Sequence, residues 1–210
     1  MLHKEPSIIA PETFKLIQDL QRVPELSGFH LVGGTSLALQ LGHRNSIDID
    51  LFCQTDFSTE GLIEAISSSF VFEIDDVQKN KLMGSINNVK TDFITHKYPY
   101  IKEPILEEEI TYLSMEDISA MKLNAISHSG KRLKDYIDIY FLLEHFSIAG
   151  MLKFFSIKYP NTNSLIAIKS LNYFGDIDEN IDPPVFLKPL SLIEIKERIS
   201  EAVVHTEKIF

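Results

Sequence analysis

Between Leu31 and Phe52 the chain reads LVGGTSLALQLGHRNSIDIDLF, and this stretch constrains the fold more than any other. A short apolar strand at Phe29–Val32 stops at Gly33–Gly34, where the chain can turn tightly and its backbone amides can approach a ligand closely. A helix is predicted from Thr35 to Leu41, with Leu37, Leu39 and Leu41 largely buried. Its first amides and positive dipole end would point into the turn, a setting suited to phosphate. From Ser46 to Phe52 apolar and polar residues alternate, Ile47, Ile49 and Leu51 on one face, Asp48 and Asp50 on the other. That period predicts a half-buried strand.

Two carboxylates side by side at about 5 Å repel by roughly 3 kcal/mol at an effective dielectric near 20. A divalent cation between them removes the repulsion, and Mg²⁺ favours one or two carboxylates plus substrate phosphate oxygens over an all-protein cage. A third acid, Asp92, lies on a strand predicted over Val89–Thr95. If the two strands are neighbours, the three acids converge and could hold two metal ions, one on a triphosphate and one on an attacking hydroxyl. Alone, an Asp-x-Asp on an amphipathic strand is more often a solvated face, and a Gly-Gly turn is common in loops. It is their order and spacing, with Asp92 added, that favours chemistry.

Around this stretch the pattern is that of an α/β half followed by a helical half. A helix is predicted over Pro11–Val23, from Phe14, Ile17, Leu20 and Val23, and another over Thr59–Ser69. Strands are predicted near Val71–Ile74 and Met83–Ile86, the second leading to the turn pair Asn87–Asn88. Glu107, Glu108 and Glu109 read as a solvated face leading into Ile110. After Leu113, Ser114-Met115-Glu116-Asp117 has the capping serine and acidic first turn of a helix start. Helices are then predicted through Met121, Lys122 and Ile126, from Leu133 to His145, after Ser147, and over Ser191–Ile209, with a proline-bearing acidic loop at Asp176–Pro189. The join makes residues 1–113 one domain and 114–210 another: a small mixed sheet with flanking helices, then a helical C-terminal domain.

The Gly-Gly turn, helix, Asp-x-Asp strand and later third acid resemble the signature of the polymerase-β-type nucleotidyltransferase superfamily. The closer resemblance is to its AbiEii/AbiGii toxin branch, through Gly33, Gly34, Thr35, Arg44, Ser46, Asp48, Asp50, Leu51 and Phe52. Here Asn45 separates Arg44 from Ser46, a departure from that branch's adjacent arginine–serine pair. A second stretch, Met121 to Glu144, resembles the branch's later signature through Lys122, then Lys134, Asp135, Asp138 and Tyr140. The resemblance spans roughly Phe29 to Glu144. It implies an Mg²⁺- or Mn²⁺-dependent transfer of a nucleoside monophosphate from an NTP to a hydroxyl of an RNA, tRNA-like in kind, or of a protein. It also implies a toxin with a cognate antitoxin, or a phage-defence protein. Asp48, Asp50 and Asp92 would be catalytic and bind metal. Gly33, Gly34, Thr35, Arg44, Lys122, Lys134, Asp135 and Asp138 would serve nucleotide binding.

The residue chemistry of the second stretch is more open. Lys134 and Asp138 stand four apart and Asp135 and Asp138 three apart, so they can share a helix face, either to meet a nucleotide or as a surface ion-pair network. Asp138 sits among Ile137, Ile139 and Tyr140, where an unpaired acid is expensive, and Asp135 reads as its solvent-facing neighbour. Arg44 could meet phosphate or pair with an acid. His96, His128 and His145 lack metal-ligand spacing, and Tyr98 and Tyr100 read as loop packing.

Charge and cysteine content narrow the partners. Thirty acids against 20 bases, a net charge of −10, argue against salt-driven coating of bulk nucleic acid. One cysteine, Cys53, leaves no internal disulfide, which fits a cytoplasmic protein, and no apolar run is long enough for a membrane span. Two rivals stand beside the transferase reading. One is a non-catalytic nucleotide-binding protein on the same fold. The other is an Asp-x-Asp glycosyltransferase, whose large nucleotide-binding domain is hard to fit before residue 113.

Overall fold

In a computed structural model of the chain, which describes residues 1–185, 187 and 189–210, the polypeptide divides into two compact units. The first comprises residues 1–42, 46–99 and 103–113; the second comprises 43–45, 100–102 and 114–210. Two three-residue excursions therefore belong to the second unit, where the sequence suggested two uninterrupted blocks.

The first unit is built on a seven-stranded mixed sheet, β1 (His30–Val32), β2 (Ile49–Cys53), β3 (Phe72–Gln78), β4 (Lys81–Ile86), β5 (Val89–Thr95), β6 (Ile105–Glu107) and β7 (Ile110–Tyr112), in the order β3-β4-β5-β2-β1-β7-β6. Helices α1 (Pro11–Gln21), α2 (Gly33–Leu41) and α3 (Thr59–Ser67) complete it. One sheet face, through Leu31, Leu51, Phe93 and Leu82, forms a single core with Leu16, Ile17 and Leu20 of α1 and Leu62 and Ile66 of α3. The sheet is therefore amphipathic, and alternation sends its acids to the opposite face.

Turn chemistry sets the strand pairing. Asn87 and Asn88 both take positive φ, 50° and 66°, in the two-residue link that pairs Ile86 with Val89. Asparagine tolerates that region, and such turns match strand twist. The Glu107–Glu109 run is not a plain solvated face. Glu108 and Glu109 take φ of 49° and 64° and link β6 to β7, a hairpin the residue types disfavour. Ion pairs of Glu108 with Lys4 and of Glu109 with Arg22 accompany it. Two further expectations are corrected. The strand starts at Ile49, so Asp48 precedes it and Ile47 is 55% exposed; Leu41 is only half-buried.

The second unit is helical: α4 (Met115–His128), α5 (Leu133–Leu142), α6 (Ile148–Lys158), α7 (Ser164–Leu171) and α8 (Leu192–Val204). Ser114 and Ser147 accept from the amides of Asp117 and Gly150, capping α4 and α6. Ser191 and Glu194 form a reciprocal capping box on α8. Buried positions run all round α5 from Leu133 to Ile139, so this helix is the centre of the unit. The sequence did not announce α7, which has eight residues and exposes Leu165 and Ile166, leaving no amphipathic period to read. The loop expected over Asp176–Pro189 has no helix or strand among its described residues; Phe186 and Lys188 lie outside them.

Candidate active site

Strand pairing assembles the carboxylates. β1 and β2 run antiparallel with Val32 opposite Asp50, and the chain turns at Gly33 straight into α2. Gly33 has φ +69°, and a Cβ there would stand 3.0 Å from Asp50 Cγ and overlap its Oδ2. Both the turn and the closeness of the Asp50 carboxylate therefore require glycine. On the other side of β2 lies β5, parallel, with Asp92 in register with Asp50. The two carboxylates thus project from adjacent strands about 4.8 Å apart, on the face away from the core.

Asp92 is 8% exposed, and among the described residues its Oδ1 has no hydrogen-bond partner. Burial lifts its carboxyl above the usual range; Lys90 opposes the shift and Asp48 adds to it. A buried acceptor left unpaired costs about 1–3 kcal/mol, so this oxygen is set up for a donor or a cation. Thr35, buried in the first turn of α2, donates its hydroxyl to the Asp48 carbonyl and shares a hydrogen bond of 2.8 Å with Ser46 Oγ. Those bonds stitch the start of α2 to the segment entering β2. Val32, the N-cap residue, makes no side-chain cap, and α2 starts at Gly33 directly beside the Asp50 carboxylate.

Among the described residues no three His, Cys, Asp or Glu side chains form a ready-made metal cage. Asp50 and Asp92 stand across one strand pair, with Asp48 just upstream, and could contribute oxygens to a cation. A hard cation that completes its shell with substrate oxygens takes such a set.

The second signature forms its own buried cluster inside the helical unit. Asp138 is fully buried and accepts from Arg44 Nε (2.7 Å) and Nη2 (3.0 Å), engages His43 Nε2 (2.8 Å) and pairs with Lys122 Nζ (2.7 Å). Lys122 also donates to Asp135 at 2.7 Å. Burial alone would raise Asp138, but Arg44 and Lys122 overcome it and hold the carboxyl well below the usual range. Burial likewise opposes the Lys122 charge, and Asp135 and Asp138 reverse the balance, leaving its pKa raised. His43 is pushed down, mainly by burial, so it is neutral near pH 7. Two cations thus meet two carboxylates. Asp135 is buried, not the solvent-facing neighbour expected, because Lys122 reaches it from α4. Lys134 does not join the cluster; it pairs with Asp182, as does Arg132 at 2.8 Å.

The sequence reading passed over His43, which no spacing rule marks, and Asp117. The latter is buried, pairs with the buried Lys158 at 2.8 Å and accepts from the backbone amides of Ile101 and Lys102. Cys53 is buried, its Sγ 3.2 Å from the Thr55 carbonyl, as befits a packing residue.

An uncharacterized protein of Aquifex aeolicus (strain VF5) is 30% identical over 163 residues, covering 73% of this chain and 77% of that one. Among solved structures, MenT4, a nucleotidyltransferase toxin from Mycobacterium tuberculosis H37Rv, superposes with a TM-score of 0.58 at 13% identity, over 92% of this chain and 84% of its own. JHP933 from Helicobacter pylori gives 0.53 at 16% identity, over 95% and 93%. At these identities the structural likeness speaks to the fold alone. The model of the nucleotidyl transferase AbiEii toxin family, type IV toxin–antitoxin system, matches residues 15–202. With nearly its whole length matched, and with a nucleotidyltransferase fold, the chain belongs to the AbiEii nucleotidyltransferase toxin family.

Proposed function

We propose that the protein transfers a nucleoside monophosphate from an NTP to an acceptor hydroxyl, at the sheet face carrying Asp50 and Asp92, with Asp48 just upstream. The observation that carries this reading is the in-register pair Asp50–Asp92 beside the start of α2, with Asp92 Oδ1 buried and, among the described residues, without a hydrogen-bond partner. Asp48, Asp50 and Asp92 would hold Mg²⁺ or Mn²⁺, which when bound would neutralise phosphate charge. The amides of Gly33, Gly34 and Thr35 receive the phosphate tail. Asp92, lifted by burial, takes the proton of the attacking hydroxyl as its oxygen bonds the α-phosphorus and pyrophosphate leaves.

The Lys122–Asp138 cluster takes a positioning part in this reading. Direct phosphate contact by Lys122 would require its ammonium to leave two carboxylates at 2.7 Å. Within the helical unit Asp138 instead fixes His43 and Arg44, the residues just before the Ser46–Asp50 segment. Family membership implies a cognate antitoxin, and the toxic outcome is assigned to the transfer reaction.

Thermal unfolding tests the site. Mg²⁺ with an NTP should raise the Tm of the wild type by mass action. Asp92→Asn should keep or slightly raise the Tm of the free protein while losing that ligand-dependent rise. An Asp92→Asn protein stabilised by Mg²⁺-NTP as strongly as wild type would remove Asp92 from the site.

A further inference from the structure

Two basic residues at the head of α5 are met by one acid from a distant loop. Arg132 Nη2 lies 2.8 Å from Asp182 Oδ2, and Lys134 Nζ donates to Asp182 Oδ1. The Lys134 side chain is only 10% exposed, and among the described residues Asp182 is its one ion-pair partner. An ammonium so covered needs an anion, because leaving it unpaired is costly. Burial would lift the Asp182 carboxyl, but Lys134 and Arg132 hold it below the usual range. The acid arrives on a strap, residues 176–185, none of which is buried, and Val185 is 62% exposed. Asp178 N donates to the Lys131 carbonyl (3.0 Å) and Asn45 N to the Val185 carbonyl (3.3 Å), tacking the strap to the helical unit. Asp182 also takes a φ of 52° immediately before Pro183, where proline favours extended backbone. Its carboxylate therefore anchors an exposed segment in a disfavoured conformation.

We propose that Arg132 and Lys134 form an anion-binding site for an oligophosphate, and that the Asp182 strap is its built-in occupant, released when that anion binds. Two features name the ligand class. Each carboxylate oxygen of Asp182 meets a different cation, an arrangement that two oxygens of one phosphate group reproduce. A carboxylate tethered by a short link also competes at an effective concentration on the order of millimolar, so a monovalent anion displaces it poorly. A ligand with several phosphates outcompetes it through charge. The strap carries Asp176, Asp178, Glu179 and Asp182, and Lys131 precedes Arg132. Release therefore uncovers a basic run and carries four acids away from it, which strengthens the attraction for a polyanion. The backbone at Asp182 relaxes as it leaves, which offsets part of the lost ion pairing. The site lies wholly within the helical unit, and its occupancy does not depend on the transfer reading.

Titration calorimetry of the full chain with inorganic tripolyphosphate, in metal-free buffer, tests the site. Asp182→Asn, which loses the competing charge, should bind tripolyphosphate at least about 10-fold tighter than wild type. Lys134→Met and Arg132→Ala should each weaken binding by at least about fivefold. Arg132 is 49% exposed, so its alanine variant keeps the test open if Lys134→Met does not fold. The chain contains no tryptophan, so Val185→Trp places a sole indole on the strap. Its fluorescence anisotropy should fall as tripolyphosphate is added, and acetate at the same ionic strength should leave it unchanged. Equal affinity in Asp182→Asn and wild type, no binding by either, or full affinity in folded Arg132→Ala would overturn the site. Tight binding to Val185→Trp with no change in anisotropy would overturn release of the strap.

Discussion

Arg44 grips Asp138 with two parallel hydrogen bonds, Nε to Oδ1 at 2.7 Å and Nη2 to Oδ2 at 3.0 Å, although 94 residues separate them in sequence. The pair is almost wholly buried, and Lys122 completes it from α4. Replacing Asp138 by Asn would leave two buried cations with one carboxylate, at a cost of about 3–5 kcal/mol, a large share of a typical domain's stability. Arg44→Lys keeps the charge but loses the planar fork, and should destabilise by about 1–3 kcal/mol. Denaturant unfolding should place Asp138→Asn well below Arg44→Lys. Equal midpoints near wild type would show that the cluster is not a structural anchor.

Lys122 separates anchoring from nucleotide contact. If it holds Asp135 and Asp138 together, Lys122→Ala should lower the Tm and kcat while the KM for NTP moves less than about threefold, since both carboxylates already engage its ammonium. A large rise in KM for NTP at unchanged Tm would assign Lys122 to the triphosphate.

The cluster also gives stability a pH dependence with a defined sign. His43 faces Asp138, Arg44 and Lys122, and its pKa is depressed in the folded state. Its contribution is therefore complete above the ordinary histidine value near 6.5 and is lost as pH falls below it, because the unfolded chain takes up the proton first. Asp138, also depressed, acts lower: its contribution is lost only as pH falls from about 3.9 toward its folded value. The Tm should decline from pH 7 to pH 5.5, with a shallower decline in His43→Gln. An identical slope in both proteins would place the titration elsewhere.

Gly33 offers the most local test of the carboxylate face. Alanine there meets a disfavoured φ and the Asp50 carboxylate together, so Gly33→Ala should cost about 1–3 kcal/mol and displace Asp50. Activity should fall by more than about 100-fold, since displacement by about 1 Å is enough for that. Gly33→Ala with wild-type kcat would mean that Asp50 does not need its present position.

Local period and short-range pattern made part of this molecule legible in its sequence. The Val89–Thr95 strand, the serine caps at Ser114 and Ser147 and the candidate carboxylates could be read directly, since each depends on neighbours in the chain. What could not be read depends on register and distance. The clash that demands Gly33 exists only because Val32 pairs with Asp50. Burial of Asp135 depends on Lys122 arriving from another helix, and the Glu108–Glu109 turn goes with partners at Lys4 and Arg22. In the sequence His96 lacks metal-ligand spacing and Tyr98 reads as loop packing, because Phe52 meets His96 only once β2 and β5 are side by side.

Label transfer is the most direct test of nucleotidyl transfer at the Asp50–Asp92 face. Wild type, Asp50→Asn and Asp92→Asn are each incubated with every α-³²P-labelled NTP in turn, Mg²⁺ and total RNA, with circular dichroism confirming that all three are folded. Wild type should place label from at least one NTP on a macromolecule, and both variants should lose at least about 1,000-fold of that rate, about 4 kcal/mol of transition-state stabilisation. Wild-type rates in folded Asp50→Asn and Asp92→Asn, or a folded wild type that transfers label from no NTP, would contradict the account.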